Sequence, residues 1–67
     1  MSPKSKTIMF WMIKELSKLP YAYRSTVEGC FDCAVEKYGF ENPEDSKDVI
    51  IDEVIQILNI EVNKVRL

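Results

Sequence analysis

Near the N-terminus, apolar residues recur at helical spacing and predict a first helix over residues 5–19. The stripe that would face the core consists of Met9, Met12, Ile13, Leu16 and Leu19. We expect Ser5 to cap this helix and Pro20 to end it, because a proline disfavours helical backbone in the residue before it. A strand over residues 7–13 is the alternative, although this run lacks the polar alternation of a half-buried strand.

The same segment contains an uninterrupted run of large apolar residues from Ile8 to Ile13. Successive helical positions point all the way round the axis, so one core-facing stripe cannot bury the whole run. Ile8, Phe10 and Trp11 are the members that lie off the main stripe. Part of this surface is therefore expected to contact something other than the chain's own core.

A second helix is predicted over residues 26–38. Ser25 and Glu28 have the spacing of a capping box, in which each side chain accepts a hydrogen bond from the other residue's amide. The apolar stripe that follows consists of Val27, Cys30, Phe31, Ala34, Val35 and Tyr38. We expect Gly39 to end the helix in the left-handed conformation, with Phe40 as the hydrophobic contact of the ending.

A third helix is predicted over residues 44–60. Its β-branched residues individually favour strands, but their spacing is helical: Ile51, Val54, Ile55, Leu58, Val62 and Val65, with Ile50 and Ile57 beside them. Asn42 and Pro43 indicate a helix start, and Ser46 is a competing start. Residues 58–63 alternate like a strand, so the structure beyond residue 60 stays open.

Three helices with short joints predict an all-α fold, a small three-helix bundle. We expect it to form one domain over residues 1–67, in which residues 1–4 are a loose N-terminus. A domain of this size buries only about 60% of its unfolded surface and is marginal alone. Because the predicted first helix is also apolar on more than one side, we expect the bundle to be dimeric.

The net charge of −2 conceals a strong segregation along the chain. Basic residues dominate the first 27 positions, and acids dominate residues 28–61. The densest acidic stretch contains Glu41, Glu44, Asp45, Asp48, Asp52 and Glu53. A field of this sign speeds the encounter with a basic partner, whereas the alternative is that these acids only solvate helix faces.

Cys30 and Cys33 form a C-x-x-C motif with three interpretations: redox chemistry, a zinc site shared by two chains, or a structural pair. Neighbouring acids such as Glu28 and Asp32 oppose the low thiol pKa that redox chemistry needs. The chain has no histidine and no other cysteine, so one copy supplies only half of a four-ligand zinc site. We predict a structural pair, with no metal ion and no cofactor.

The sequence also argues against several broad classes of function. Without histidine or a glycine-rich phosphate loop, we predict that the protein is not an enzyme. The apolar run falls far short of the roughly 20 residues that span a bilayer, although a helix lying on a membrane surface is a lesser alternative. We find no pattern of a secretion signal and expect a cytoplasmic protein without a membrane role.

The function favoured by the sequence is a small acidic protein-interaction module that binds another protein and inhibits or otherwise modulates it, as a homodimer. The predicted partner-binding residues are Phe10, Trp11, Tyr23, Glu44, Asp45, Asp48, Asp52 and Glu53. The alternative is a DNA-binding transcriptional regulator that uses the basic N-terminal third. Acids on the third helix would repel phosphates, which makes nucleic acid the less favoured partner.

Overall fold

The computed structural model describes residues 2–38, 46–62 and 65–66. In chain order these residues form α1 (Pro3–Leu16), β1 (Ala22–Tyr23), α2 (Arg24–Tyr38), α3 (Lys47–Val62) and β2 (Val65–Arg66). Each of the three helices packs against the other two. The prediction of an all-α three-helix bundle is therefore confirmed.

The described residues form one hydrophobic core, to which every helix contributes. Its members are Ile8, Met12, Leu16, Ala22, Val27, Phe31, Ala34, Ile50, Ile51, Val54, Ile55 and Leu58. The stripes predicted for the second and third helices supply most of these residues. Burial of this apolar surface is the dominant favourable contribution to folding.

The orientation of α1 differs from the prediction. Ile8, placed off the main stripe by the sequence pattern, is completely buried, whereas Leu19 lies beyond the helix and is 40% exposed. Met9 and Ile13 pack at the edge of the core. The buried face of α1 is therefore centred on Ile8, Met12 and Leu16. This side of the helix contacts both α2 and α3.

The start of α1 also differs, because Ser2 and not Ser5 is its N-cap. The Ser2 hydroxyl accepts a hydrogen bond from the Ser5 amide at 3.2 Å, and Pro3 follows in the first helical position, where a missing N–H costs nothing. Ser5 is fully buried, and its hydroxyl oxygen accepts a hydrogen bond from the Ser2 hydroxyl at 2.9 Å. The terminus expected to be loose is thus helical from residue 3.

At its other end α1 stops at Leu16, before the predicted limit at residue 19. The amides of Lys18 and Leu19 donate to carbonyl oxygens three residues earlier, at 3.2 and 3.1 Å, which is the tighter pattern that often ends a helix. The Ser17 hydroxyl donates to the carbonyl oxygen of Ile13 at 2.6 Å. The helix therefore ends in a tight turn ahead of Pro20.

The predicted capping box at the start of α2 is wrong. The helix begins at Arg24, so Ser25 lies inside it and cannot cap it. The Thr26 hydroxyl instead accepts a hydrogen bond from the Tyr23 amide at 3.3 Å. Tyr23 is the cap position and Thr26 is the third residue of the helix, and a side chain at that position can accept a hydrogen bond from the cap amide. The predicted ending at Gly39 and Phe40 lies outside the described residues.

The start of α3 at Ser46, the second of the two starts that the sequence indicated, is the one observed. The Ser46 hydroxyl accepts a hydrogen bond from the Val49 amide at 3.3 Å, and its carbonyl oxygen accepts one from the Ile50 amide. Asn42 and Pro43 lie outside the described residues. The helix continues to Val62.

The chain beyond α3 returns to the start of α2. Val65 and Arg66 form β2, which pairs in parallel with β1, with Ala22 opposite Val65 and Tyr23 opposite Arg66. The sequence left helix and strand as alternatives beyond residue 60. Both are present, since the helix continues past residue 60 and the strand follows it. The sequence pattern did not predict β1.

Two substitutions on α1 should separate its buried face from its exposed face. Ile8→Ala removes a fully buried side chain and should lower the free energy of unfolding by about 2–5 kcal/mol. Phe10→Ala removes a side chain that is 65% exposed and, in the monomer, should change the free energy by no more than about 0.5 kcal/mol. Urea unfolding of both variants measures the difference. Equal losses would show that the orientation of α1 is incorrect.

Candidate partner-binding groove

A surface groove of about 360 Å³ lies between α1 and α2. Its apolar wall is formed by Trp11, Leu16, Leu19 and Ala34, together with the thiols of Cys30 and Cys33. Trp11 lies on α1, and Leu19 lies in the segment that follows the helix. Leu19 and Cys33 are exposed, so the groove is open to solvent and does not enclose a cavity.

Trp11, the only tryptophan of the chain, is half-buried in the wall of the groove. Its ring makes an edge contact with Phe10, with centroids 6.5 Å apart and planes at 79°. The ammonium of Lys14, one turn further along α1, lies 4.9 Å from the indole centroid, and a cation at this distance is attracted to the ring face. The two neighbours restrain the indole as part of the wall.

The two cysteines lie on α2 one helical turn apart, and both line the groove. Cys30 is half-buried, and its thiol lies 3.9 Å from the carbonyl oxygen of Met12. Burial raises the pKa of the Cys30 thiol, and the nearby charges of Cys33 and Glu15 raise it further. A raised thiol pKa reduces the thiolate that attack and metal binding require, so the geometry favours a structural pair over redox use.

The described part of the chain contains no further candidate metal site. Those residues contain no group of three or more histidine, cysteine or acidic side chains that could hold a metal ion. The zinc site shared across a dimer would need a second copy and stays untested.

Charged side chains of both signs line the groove or lie beside it. Lys37 lines it directly, and Lys14 lies against the Trp11 ring. Glu15 also lines it, but the Lys18 ammonium is 3.3 Å from the Glu15 carboxylate. Among the described residues, Lys37 and Glu15 line the groove, and Lys14 and Lys18 lie beside them.

The predicted partner-binding aromatics occupy different positions. Trp11 lines the groove. Phe10 touches Trp11 but is 65% exposed, on the side of α1 away from the core. Tyr23 lies on β1 with its ring 6.0 Å from that of Tyr21, in an edge contact at 83°. The groove wall and the Tyr21–Tyr23 pair are therefore separate aromatic features.

The predicted acidic residues are partly engaged within the bundle. Asp48, Asp52 and Glu53 are exposed on α3, while Glu44 and Asp45 lie outside the described residues. The Asp52 carboxylate accepts a hydrogen bond from the Arg24 guanidinium at 3.0 Å. Some of the acidic density is thus already compensated by a neighbouring cation.

A second ion pair joins the same two helices. Lys47 on α3 donates to the Asp32 carboxylate at 2.9 Å. This hydrogen bond raises the pKa of Lys47, and the charges of Asp32, Glu28 and Asp48 raise it further. Exposed pairs contribute little to stability, but they lower the net negative charge along the contact between α2 and α3.

Several groove residues were not predicted as partner-binding residues from the sequence, among them Glu15, Leu19, Thr26 and Lys37. Their helical spacing was visible, since Glu15 and Leu19 follow Trp11 at intervals of four. What the spacing does not show is that this edge of α1 lies against the Thr26–Lys37 edge of α2. That information comes only from the packing of the two helices.

Comparison of this chain with family models, with curated proteins and with solved structures finds no match. None of the helices over residues 2–38 and 46–62 is long and apolar enough to cross a membrane. The fold and the groove define the molecule as a small helical bundle with an open apolar groove.

Alkylation should distinguish the two thiols of the groove. Iodoacetamide reacts with thiolates, so Cys30 should react more slowly than exposed Cys33 at neutral pH. Because the pKa of Cys30 is raised by burial, its rate should reach half its maximum at a higher pH than the rate of an ordinary thiol does. Tandem mass spectrometry assigns the adduct to either residue across a pH series. Faster reaction at Cys30 would contradict the described burial.

Proposed function

We propose that this protein is a small interaction module that binds another protein and modulates its activity through the groove between α1 and α2. The observation that supports the proposal most directly is an open apolar groove with a half-buried tryptophan in its wall. Tryptophan is enriched among the residues that dominate interface energies. An apolar groove between two helices is also the surface that an amphipathic segment of a partner occupies.

The openness of the groove favours a protein segment over a small molecule. Sites for small ligands bury about 70–90% of the ligand surface. Here Leu19 and Cys33 are exposed in the wall, so a small ligand would keep much of its surface in water. A protein segment can bury its apolar side chains in the groove while the rest of it stays solvated.

The chemistry of the groove supports contact rather than catalysis. Its one carboxylate, Glu15, is paired with Lys18 at 3.3 Å, and the pKa of the Cys30 thiol is raised. General acid–base catalysis needs groups poised to exchange protons near the working pH. The groove offers apolar surface with charged residues at its edge, which are the properties of a recognition site.

Nucleic acid is the alternative partner, because Lys4, Lys6 and Lys14 lie on α1. The exposed acids Asp48 and Glu53 on α3 argue against it, since a helix that approaches DNA must not bring carboxylates towards the phosphates. A protein partner is compatible with both charged faces.

We also propose that the module is a homodimer, with Phe10 at the subunit contact. This aromatic side chain is 65% exposed in the middle of α1. Isolated apolar side chains are ordinary on protein surfaces, but Phe10 continues into the half-buried Trp11 through their edge contact. A symmetric contact between two copies of α1 would cover it.

Crosslinking from the groove tests the proposed function. A benzophenone maleimide attached to Cys33 should crosslink a specific protein in extract of the source cell. The identified protein, purified, should bind the unlabelled module and change in activity. Trp11→Ala should weaken that binding by about 2 kcal/mol or more, as loss of an anchor does.

The matched control for this experiment is Tyr21→Ala, which removes an exposed aromatic side chain outside the groove and should leave the affinity nearly unchanged. Circular dichroism shows whether both variants remain helical. If Trp11→Ala binds the purified partner as tightly as the wild type does, the groove is not the binding surface.

Sedimentation equilibrium over micromolar concentrations tests the homodimer. We expect a dimer that Phe10→Ala converts to a monomer. Since a symmetric contact brings Lys6 and Lys14 of both copies together, the dimer should tighten as salt screens their repulsion. A wild-type chain that stays monomeric at every concentration and salt would rule the dimer out.

A further inference from the structure

We propose that Cys30 and Cys33 form a reversible disulfide within α2 when a disulfide oxidant is present, and that this bridge deforms the wall of the groove. The bridge is a modification of the chain itself, and only its effect on partner binding rests on the proposed function. The observations that support it are the spacing of the two thiols, their unequal exposure and their shared position in the wall.

The spacing of the two cysteines brings them within reach of a bridge. Residues three apart in an α-helix have Cα atoms about 5 Å apart, inside the range of about 4.4–6.8 Å that disulfides span. Cys30 and Cys33 have this spacing well within α2, and both line the same groove. Burial raises the pKa of the Cys30 thiol, and the nearby charge of Cys33 raises it further, so the two thiols lie close enough to interact.

The bridge fits only with some distortion of the helix. Helical residues at this spacing have Cβ atoms about 5–6 Å apart, whereas a disulfide needs about 3.5–4.5 Å. The two Cβ atoms must therefore approach each other by roughly 1 Å or more. A strained or exposed disulfide is more easily reduced than a relaxed, buried one. The pair is therefore suited to reversible oxidation and not to a permanent crosslink.

The unequal exposure of the thiols sets the order of the steps. The thiolate of exposed Cys33 attacks one sulfur of oxidised glutathione, and the glutathione S–S bond breaks with release of one glutathione thiolate. The Cys30 thiol then loses its proton to solvent and attacks the Cys33 sulfur, which releases the second glutathione as thiolate. The two cysteine thiols are oxidised to one disulfide, and one glutathione disulfide is reduced to two thiols.

The raised pKa of Cys30 makes it a poor first attacker but allows the second step. Fewer Cys30 thiols are ionised at neutral pH, although a thiolate of higher pKa is the stronger nucleophile. The second attack also occurs within one helix, so no diffusional encounter is needed. The two thiols thus pack as a structural pair in the reduced protein, and an added oxidant links them.

Oxidation would change the wall of the groove. In the reduced protein the Cys30 thiol lies 3.9 Å from the carbonyl oxygen of Met12, on α1. To form the bridge, the Cys30 sulfur must turn towards Cys33, and the turn of α2 between them must tighten. An altered wall should bind a protein segment more weakly, because interfaces depend on close packing at their centre. The disulfide would then make the proposed function sensitive to redox conditions.

Oxidation of the dilute protein with oxidised glutathione tests the proposal. After the remaining thiols are blocked, intact mass spectrometry should show a single chain that has lost two hydrogens. Millimolar reduced glutathione should restore the original mass. Trp11 is the single tryptophan of the chain and lines the groove, so its emission should change as the disulfide forms and return when it is reduced.

Two variants check the assigned roles of the thiols. Cys30→Ala retains the exposed thiol without a second one, so it should accumulate one glutathione on Cys33. Cys33→Ser retains only the half-buried thiol and should react about tenfold more slowly or less. Neither variant should lose two hydrogens. Circular dichroism shows whether both remain helical, and the exposed position of Cys33 makes Cys33→Ser the milder change.

The outcomes separate the disulfide from the proposed function. A glutathione adduct on the wild-type chain that never resolves, or a disulfide that joins two chains, would overturn the proposal. An intrachain disulfide that leaves the Trp11 emission unchanged would overturn the deformation of the groove, and one that resists reduced glutathione would overturn its reversibility. If the disulfide forms and alters the emission but crosslinking from Cys33 captures no partner, the proposed function fails and the disulfide stands.

Binding of the purified protein captured by that crosslinking tests the regulatory effect. It should bind the oxidised module at least about tenfold more weakly than the reduced module, because the wall that it contacts has changed. By linkage, the same protein in excess should make the disulfide harder to form. Equal affinity for the two forms would show that the disulfide does not regulate the groove.

Discussion

The structure depends on one constraint: α1 contains six consecutive apolar residues and can turn only one side towards the core. Packing against both other helices buries Ile8, Met12 and Leu16 completely. With that side fixed, the geometry of the helix places Trp11 at the boundary with α2 and Phe10 on the side facing solvent. The groove and the exposed aromatic are therefore consequences of a single packing arrangement.

Much of the fold could be predicted from the spacing of apolar residues, because burial of a continuous helical face leaves a period that the sequence shows. The orientation of α1 could not, since Ile8 and Met9 each begin an acceptable stripe and only contact with α2 and α3 decides between them. The first residues of the helices were harder to predict, for a local reason. Two serines at either end of a short interval, such as Ser2 and Ser5, can both cap a helix, and their competition depends on a fraction of a kcal/mol.

The candidate site was less predictable than the fold. Trp11 was identified because it lay off the main stripe, but the wall opposite it belongs to α2 and arises from tertiary packing. The pairing of charges could not be predicted for the same reason. An acidic stretch is visible in the sequence, whereas the pairing of Asp32 with Lys47 across two helices depends on their approach in space. Linear charge density is therefore a poor guide to the field at a particular surface of a small bundle.

The short ladder between β1 and β2 has a consequence for how the chain folds. It pairs Ala22 with Val65, so α2 and α3 lie within the loop that it closes. Closing a long loop costs entropy before its contacts can compensate, and such contacts generally slow folding. The helices can form and pack through contacts nearer in sequence, and the ladder then joins the two ends of this loop as a late step. The two strands would thus pair after the three helices have packed together.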